Sequence, residues 1–391
     1  MMKSRNLRIL MAVVFAASAL MVISPEAIAW EKGHIKANPF LKFEEQYDSN
    51  IFYDPDDPKH DFISILTPGI TSEIGVGDGG KQKVRANYKV DCGMFGKYKD
   101  QNYANQDLLG EVELNFADKY KWTTGDNFLF TSDRAGTEFE HRTLRKENTL
   151  KSLFEADFNK LSWDAGYSLY NVDYLSDTLK QINRYENIFW TTGYIQIQPK
   201  TKALFELQYK NIQYPDASGR NANGYRAMTG LKGQLTAKLA GIAKVGFKIQ
   251  DYNTKSQPDF YNFVAEIGLD YAYNDRINFL MSYVREPFES TYTNNNYYTG
   301  DHLLGVMNYK FGNGFFTKID GMLFNNMYPE AGTGESKKRN DLEWAAGAKL
   351  GYQWKEWFVT DVGYRFHQRA SNLHSRDYDQ HVVSISAKVM Y

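Results

Sequence analysis

The chain has 391 residues, with 28 Tyr and 25 Phe, only 10 Pro, and a formal net charge of −1. This balance lacks the basic surplus that nucleic-acid binding requires. The mean hydropathy is −0.55, and after the N-terminus no stretch approaches the roughly 18 apolar residues that a membrane-spanning helix needs. The composition therefore excludes a helical membrane protein and favours strands that are apolar on one face only.

The N-terminus has the three regions of a secretory signal. Its charged start contains three basic residues, Lys3, Arg5 and Arg8. An apolar run follows over residues 9–23, and Ala27-Ile28-Ala29 has the small residues of a cleavage site. We expect residues 1–29 to be a cleaved signal peptide and residues 30–391 to form one domain. Removing three basic residues and one acidic residue changes the formal charge from −1 to −3.

From about residue 38 onward, segments of roughly ten residues alternate apolar and polar side chains. About eight very short turns and nine longer polar connections separate these segments. That asymmetry is typical of bacterial outer-membrane barrels. The pattern predicts an all-β fold, a transmembrane antiparallel up-and-down barrel of about 18 strands, with 16 as the alternative. The first strand starts so early that a plug domain is not expected.

The last strand supports a closed barrel. One face carries Val383, Ile385, Ala387, Val389 and Tyr391. A soluble sheet rarely ends on such an apolar edge, whereas a barrel removes the edge by pairing its last strand with its first. This ending resembles the C-terminal signal that outer-membrane barrels present to their assembly machinery. The alternative is the edge strand of a soluble sandwich.

The polar faces of the strands should line a hydrated lumen. The expected lumen residues are Lys83, Arg85, Lys89, Glu111, Glu113, Glu266, Asp270, Glu343, Lys349, Asp361 and Arg365. We expect Lys83, Arg85 and Lys89 on one strand to neighbour Glu111 and Glu113 on the next, and Asp361 and Arg365 to neighbour Glu343 and Lys349. Opposite charges on paired strands stabilise a sheet by roughly 0.2–1 kcal/mol per pair. The same charges could instead form a transverse field that selects solutes, and both roles stay open. Because the signs are mixed, we do not expect strong anion or cation selectivity.

Two loops invite a functional interpretation. The loop Thr131–Glu147 is the expected constriction if the protein is a diffusion porin, through Arg134, Arg142, Arg145 and Lys146. The first long loop contains five aspartates, Asp48, Asp54, Asp56, Asp57 and Asp61. Clustered carboxylates can bind Ca²⁺, but two prolines interrupt this run and the spacing is not that of an EF-hand. We expect a solvated acidic loop, with no metal and no cofactor.

Enzyme chemistry is not predicted. Five histidines lie in or near loops, His141, His302, His367, His374 and His381, but no nucleophile motif accompanies any of them. The single cysteine, Cys92, cannot form an internal disulfide. It falls on the apolar face of a predicted strand, which indicates a buried structural thiol.

The segment from Phe43 to Phe52, FEEQYDSNIF, is followed by Asp61-Phe62-Ile63 and by Pro68-Gly69. This opening resembles that of the putative β-barrel porin 2 family. The resemblance implies an outer-membrane barrel, and some members occur with exopolysaccharide synthesis and export systems. It marks strand geometry and offers no catalytic residues.

The expected function is an outer-membrane channel in a Gram-negative bacterium, and by this resemblance a conduit for exopolysaccharide secretion. One alternative is a general diffusion porin for small hydrophilic solutes. Another is a structural or adhesive barrel whose surface loops bind partners. The expected partners are outer-membrane lipid, the barrel-assembly machinery and a periplasmic polysaccharide-export protein, but no nucleic acid.

Overall fold

The computed structural model describes residues 30–32, 35–77, 81–255, 257–292 and 294–391. The predicted signal peptide, residues 1–29, lies outside the described residues, so its cleavage stays a prediction. Within the described ranges, no helix has both the length and the apolar character needed to cross a membrane.

Strands account for most of the described chain. They are β1 (Trp30–Lys32), β2 (Ile35–Asp48), β3 (Asp61–Val76), β4 (Gln82–Phe95), β5 (Tyr103–Phe116), β6 (Tyr120–Thr131), β7 (Arg145–Phe158), β8 (Leu161–Tyr174), β9 (Arg184–Gln198), β10 (Thr201–Gln213), β11 (Ala222–Gln234), β12 (Leu239–Tyr252), β13 (Phe260–Asn274), β14 (Ile277–Glu289), β15 (Tyr297–Lys310), β16 (Phe315–Ala331), β17 (Lys338–Lys355), β18 (Phe358–Ser371) and β19 (Tyr378–Met390). In the described part of the chain, four short 3₁₀ helices lie in the connections, Lys99–Gln101, Asp177–Ile182, Ser218–Arg220 and His374–Arg376.

The sheet closes on itself. Each strand from β2 to β18 pairs antiparallel with the next, and β19 pairs with β2 from Val382 opposite Asp48 to Met390 opposite Phe40. The short β1 only extends the start of β2. The result is an 18-stranded barrel, which confirms the predicted all-β fold and the preferred strand count. Closure leaves the last strand without an unpaired edge.

The two ends of the barrel differ. Eight connections of two to five residues lie at one end, called here the short-turn end, and nine connections of six to thirteen residues lie at the other, the long-loop end. The barrel strands have 12 to 18 residues, which is more than the ten expected. The loops are correspondingly short, and the connection between β16 and β17 contains only residues 332–337. Pairing continues beyond the point where the alternation of hydropathy fades.

The two faces of the wall carry different side chains. Large apolar residues are exposed on the outer face, including Phe205 (55%), Phe247 (62%) and Ile385 (61%). Such exposure suits a surface covered by lipid. Cys92 is a free thiol only 3% exposed, on the outer face of β4 between strand neighbours Leu66 and Ala104. It is the buried structural thiol that the sequence predicts.

Aromatic residues gather at the short-turn end, where they form an interfacial girdle. Tyr271 and Tyr273 lie near the end of β13, and Trp354 near the end of β17. Trp163 lies near the start of β8. Tyr273 and Trp354 are at least half exposed, as expected of side chains that reach the level of lipid headgroups.

Three small apolar clusters lie where the long loops fold inward. One is centred on Ile51, Ile63 and Phe95, and another on Val172, Tyr174 and Ile182. The largest cluster lies at the long-loop ends of β10 to β15 and contains Ile212, Tyr214, Ala222, Met228, Tyr252, Phe260, Val264 and Tyr297. These satellite clusters hold the loops on the inner wall.

The long-loop end of β14 separates from β13 but stays paired with β15 as far as Glu289. Its pairing with β13 stops at Arg285 opposite Ala265. The end of this hairpin bends toward the inner wall, where the Glu289 carboxylate accepts hydrogen bonds from the Tyr214 hydroxyl (2.5 Å) and the Gln250 amide (2.7 Å). This inward bend narrows the long-loop end on the side of β10 to β14.

Candidate functional site: the lumen and its crossing loop

The inner face of β3 to β5 carries paired charges. Arg85 donates to Glu73 at 2.8 Å and to Glu111 at 2.5 Å, and lies 3.6 Å from Glu113. Lys83 is the strand partner of Glu113. These are the cross-strand neighbours that the sequence predicts, on alternating positions that face the interior.

A longer row of ion pairs runs along the inner wall from β9 to β13. Each carboxylate in the row lies within 3.0 Å of at least one cation on a neighbouring strand. The pairs are Glu186 with Arg184 (2.6 Å) and Lys210 (2.7 Å), Glu206 with Arg226 (2.7 Å) and Lys244 (3.0 Å), and Glu266 with Lys244 (2.7 Å). Glu186, Glu206 and Lys244 are buried, and this burial is tolerated because each charge has a partner.

The remaining predicted lumen residues also fall on inner positions, with one different pairing. Lys349 and Asp361 form the expected cross-strand pair at 3.1 Å. Arg365 pairs with Asp320 rather than with Glu343, because it reaches across β17 to β16. Glu343 contacts His367 at 2.7 Å. Of the other predicted lumen residues, Lys89 pairs with Asp91 at 3.1 Å, and Asp270 accepts from the Asn278 amide at 3.4 Å.

The connection between β6 and β7, residues 132–144, folds into the barrel and is called here the crossing loop. At its base, Ser132 donates its backbone N–H to Asn105 Oδ1 (2.8 Å). The Arg142 guanidinium lies over the Tyr103 ring at 3.7 Å and pairs with Asp133 at 2.6 Å. Burial lowers the pKa of Arg142, although Asp133 opposes that effect.

The tip of the crossing loop is bonded to the opposite wall. Asn326 of β16 donates to Thr137 Oγ1 at 3.0 Å, and Arg369 of β18 donates to the Thr137 carbonyl at 2.6 Å. Glu140 lies 3.2 Å from Arg369 and 3.0 Å from Arg376. Since β16 is about half-way around the barrel from β6 and β7, the loop spans the lumen.

A second anchor joins the crossing loop to the β14–β15 connection. The Glu138 carboxylate accepts from the Ser290 hydroxyl at 2.6 Å. It also accepts from the backbone N–H of Thr291 at 2.6 Å and from the Thr291 hydroxyl at 2.9 Å. Hydrogen bonds to a charged acceptor are the strong ones, so Glu138 is the densest polar contact between the loop and the far wall.

A stack of two arginines and two tyrosines adds a third contact. Arg134 of the crossing loop lies over the Tyr53 ring at 3.7 Å, and Tyr53 stacks on Tyr378 with ring centres 4.1 Å apart and planes at 8°. Arg369 lies over Tyr378 at 4.7 Å. Tyr53 has φ +56°, a left-handed conformation that tyrosine rarely adopts. The first loop holds Tyr53 in that conformation between the two cations.

The sequence matches a known protein family over nearly its whole length. The family model described as Putative beta-barrel porin 2 matches residues 31–391. The chain belongs to this family of porins.

Solved structures share the fold at low identity. A BenF-like porin from Pseudomonas fluorescens Pf-5 is 11% identical, with 92% of this chain and 99% of that chain covered and a TM-score of 0.51. OccAB4 of Acinetobacter baumannii is 11% identical, with 94% and 100% covered and a TM-score of 0.48. No curated protein matches the sequence. The family match, and not these distant structures, identifies the protein as an outer-membrane β-barrel porin, and the expected family resemblance is confirmed.

The four basic residues expected at a constriction are divided between two elements of the porin. Arg134 and Arg142 lie in the crossing loop. Arg145 and Lys146 are the first residues of β7 instead. Arg145 faces inward, where it pairs with Glu147 at 2.5 Å. Lys146 alternates to the outer face beside Phe130, so it does not project into the lumen.

The aspartates of the first loop organise turns in the porin. Asp54 accepts from the backbone N–H groups of Asp57 and Asp56, which lowers the pKa of its carboxyl. Asp61 accepts from the backbone N–H groups of Lys97 and Tyr98 at 2.9 Å each. Among the described residues, no three His, Cys, Asp or Glu side chains are arranged to hold a metal ion.

The histidines of the porin contact aromatic, amide and carboxylate groups. His302 stacks between Phe288 and Phe324 and shares a hydrogen bond with Asn326 at 2.9 Å. His374 bonds to Asp377 at 3.1 Å and to Asp56 at 3.3 Å, and these bonds raise its pKa above the ordinary value. The latter contact joins the last long loop to the first.

The short-turn end of the lumen opens into a cavity of about 890 Å³. Its lining contains seven lysines and five carboxylates. The lysines are Lys81, Lys83, Lys119, Lys121, Lys200, Lys202 and Lys232, and the carboxylates are Glu113, Asp118, Glu155, Asp157 and Asp164. The surplus of two positive charges is small. The weak ion selectivity expected from the sequence stays a prediction.

Sequence reasoning missed the residues that anchor the crossing loop. Thr137, Glu138 and Glu140 accept the bonds from the far wall, whereas the sequence drew attention only to the arginines. Two glutamates with one residue between them, in a loop that otherwise carries arginines, were the available signal. The far-wall donors are 150 or more positions distant along the chain, so no local pattern points to them.

Proposed function

We propose that this protein is a diffusion porin for small hydrophilic solutes, with the crossing loop as the constriction that limits their size. The observation that supports this function is the bonding of the loop tip to the opposite wall through Thr137, Glu138 and Glu140. A loop tied across a lumen divides it into narrower passages. Paired charges on both sides of such a passage suit hydrated solutes that bind weakly and leave.

Exopolysaccharide export is the expectation from the family resemblance, and the geometry favours it less. A polymer needs one continuous passage, whereas the crossing loop obstructs the centre of the lumen. Export would require release of the loop from Asn326, Arg369 and Arg376 in addition to the Glu138 contacts. None of the contacts among the described residues favours the third alternative, a structural or adhesive barrel whose loops bind partners.

The test is conductance in a planar bilayer. We compare the wild-type porin with a variant in which residues 134–141 are replaced by a short Gly-Ser linker. The wild type should pass a small steady current, and the shortened loop should give a larger one. Heat-modifiable migration on a gel shows that both barrels are folded. If neither protein conducts, the diffusion function is wrong.

A deletion strain separates the second function. Loss of the chain should slow the uptake of small hydrophilic solutes and leave surface polysaccharide unchanged. Loss of surface polysaccharide with normal solute uptake would instead support polymer export. Complementation with the wild-type chain is the control in both assays.

A further inference from the structure

The outer face of β6 and β7 carries a polar patch within the apolar wall. This outer polar patch consists of Trp122, Thr124, Asp126, Asn148 and Ser152. Asn148 donates its amide to both oxygens of Asp126 at 3.0 Å. Ser152 Oγ accepts from the Trp122 indole at 2.8 Å and from the Thr124 hydroxyl at 2.9 Å. All five residues alternate with inward-facing neighbours, so they face away from the lumen.

Asp126 lies near the middle of the membrane-facing band. Two outward aromatic residues of the same strand, Trp122 and Phe130, are each four residues away on opposite sides. Trp122 and Phe130 are therefore eight residues apart, which at about 3.3 Å per residue is roughly 26 Å along the strand. A strand tilt of about 40° reduces it to roughly 20 Å along the barrel axis, compared with an apolar band of about 25 Å. Asp126 is therefore far from both membrane surfaces.

The outer surface of β4 and β5 beside the patch carries small side chains. Gly110 of β5 is the strand partner of Asp126, and Ala86 of β4 is the partner of Gly110. A Cβ added at Gly110 would meet no atom within 4 Å. The small residues leave a shallow recess next to the carboxylate. By contrast, the outer face at mid-height on β12 carries Val245 and Phe247, which are 53% and 62% exposed.

A carboxylate in this position is costly if it faces lipid. Charged groups on the lipid face destabilise barrels most near the midplane. An ionised carboxylate has two oxygens with about four lone-pair sites, and the single amide of Asn148 does not fill them. The Ser152 hydroxyl accepts twice, so its own proton remains to be donated. The patch thus contains both donors and acceptors and is complementary to itself.

We propose that the outer polar patch is the contact surface between two copies of this porin, related by a two-fold axis normal to the membrane. In such an isologous contact the same residues meet from both sides. Asp126 of one copy accepts from the hydroxyl and amide donors of the other, and the recess at Gly110 receives the bulkier side chains. Protein then covers the carboxylate that lipid would leave poorly solvated.

The first test is the mass of the purified porin in mild detergent. Light scattering during size exclusion should give about twice the mass of one chain. The double variant Asp126→Leu with Asn148→Leu should remain folded, as shown by heat-modifiable migration, and should associate at least roughly tenfold more weakly, because it loses hydrogen bonds to a charged group. Thr229→Leu, an outward polar position on β11, is the matched control and should stay dimeric.

The second test uses disulfide formation in intact outer membranes. A cysteine at Asn148→Cys should cross-link to its counterpart in a second copy. The wild type, whose only thiol is the buried Cys92, and a Thr229→Cys variant should not cross-link. A wild type with the mass of one chain, or an Asn148→Cys variant that stays uncross-linked, would overturn the proposal. So would a double-leucine variant that remains as dimeric as the wild type.

Discussion

Replacing Glu138 by Ala should loosen the crossing loop without unfolding the barrel. The carboxylate accepts three hydrogen bonds from Ser290 and Thr291, at 2.6, 2.6 and 2.9 Å. All three cross from the loop to the far wall. Alanine removes the acceptor and leaves the barrel strands untouched.

The magnitude follows from these contacts. A hydrogen bond to a charged group stabilises by about 1.5–3 kcal/mol, but the contributions are not additive and water solvates the released carboxylate. A net loss of about 2 kcal/mol for the anchor is a reasonable value for a half-buried group. That loss shifts the balance between bound and released loop by roughly 30-fold. Thr137 and Glu140 keep their own contacts, so the loop should be released intermittently rather than permanently.

Single-channel recording measures this balance. The Glu138→Ala porin should spend up to roughly 30-fold more time at a higher conductance level than the wild type. Glu138→Gln, which keeps one acceptor oxygen but loses the charge, should fall between them. Asp177→Ala is the control, because Asp177 pairs with Lys180 in a different long loop. If Glu138→Ala records are indistinguishable from those of the wild type and of Asp177→Ala, the loop does not limit the current.

Three further predictions concern loop packing, the sheet and assembly. The hydrogen bonds of His374 raise its pKa, so its contribution to loop packing is complete below the ordinary histidine pKa and is lost as pH rises through the raised value. Proteolysis of the long loops should therefore be faster at pH 8 than at pH 5.5. The His374→Ala variant should lack that difference. Gly246→Ala should lower the temperature of heat-modifiable unfolding, because its Cβ would overlap a carbonyl of the neighbouring strand, whereas Gly193→Ala, with nothing within 4 Å, should not. Deleting Tyr391, which stacks on Trp357 with ring centres 6.2 Å apart, should reduce the folded barrel recovered from outer membranes, and equal recovery would contradict an assembly signal there.

Alternation and turn length were sufficient to predict the barrel. Val383 and Ile385 are exposed on the outer face, as a period of two requires. The strand count followed from the number of short turns, because each short turn joins two strands. Strand ends were less predictable. Arg145 and Lys146 read as loop residues but belong to β7, since sheet hydrogen bonds use the backbone and continue where side chains give no pattern.

The lumen was predictable in composition but not in contacts. The sequence placed Arg85 beside Glu111 because neighbouring strands set their register. It could not place Glu138 beside Ser290, because that contact depends on how a flexible stretch folds across the barrel. The inward bend at the end of β14, near Pro287, was equally hidden. Proline indicates an irregularity, but the direction of the bend is decided by acceptors and donors on other strands.

Carboxylates in the lumen, in the crossing loop and in the outer polar patch all need donors or cations nearby. On the inner wall, Glu186, Glu206 and Glu266 each lie within 3.0 Å of a cation. In the crossing loop, Glu138 and Glu140 find donors across the lumen. Both arrangements follow from the cost of leaving a carboxylate poorly solvated. Among the residues that the structure describes, the Asn148 amide is the only hydrogen-bond donor to Asp126, which faces lipid. The same reasoning that explains the lumen pairs therefore requires a further donor at Asp126, and a second copy of the porin supplies one.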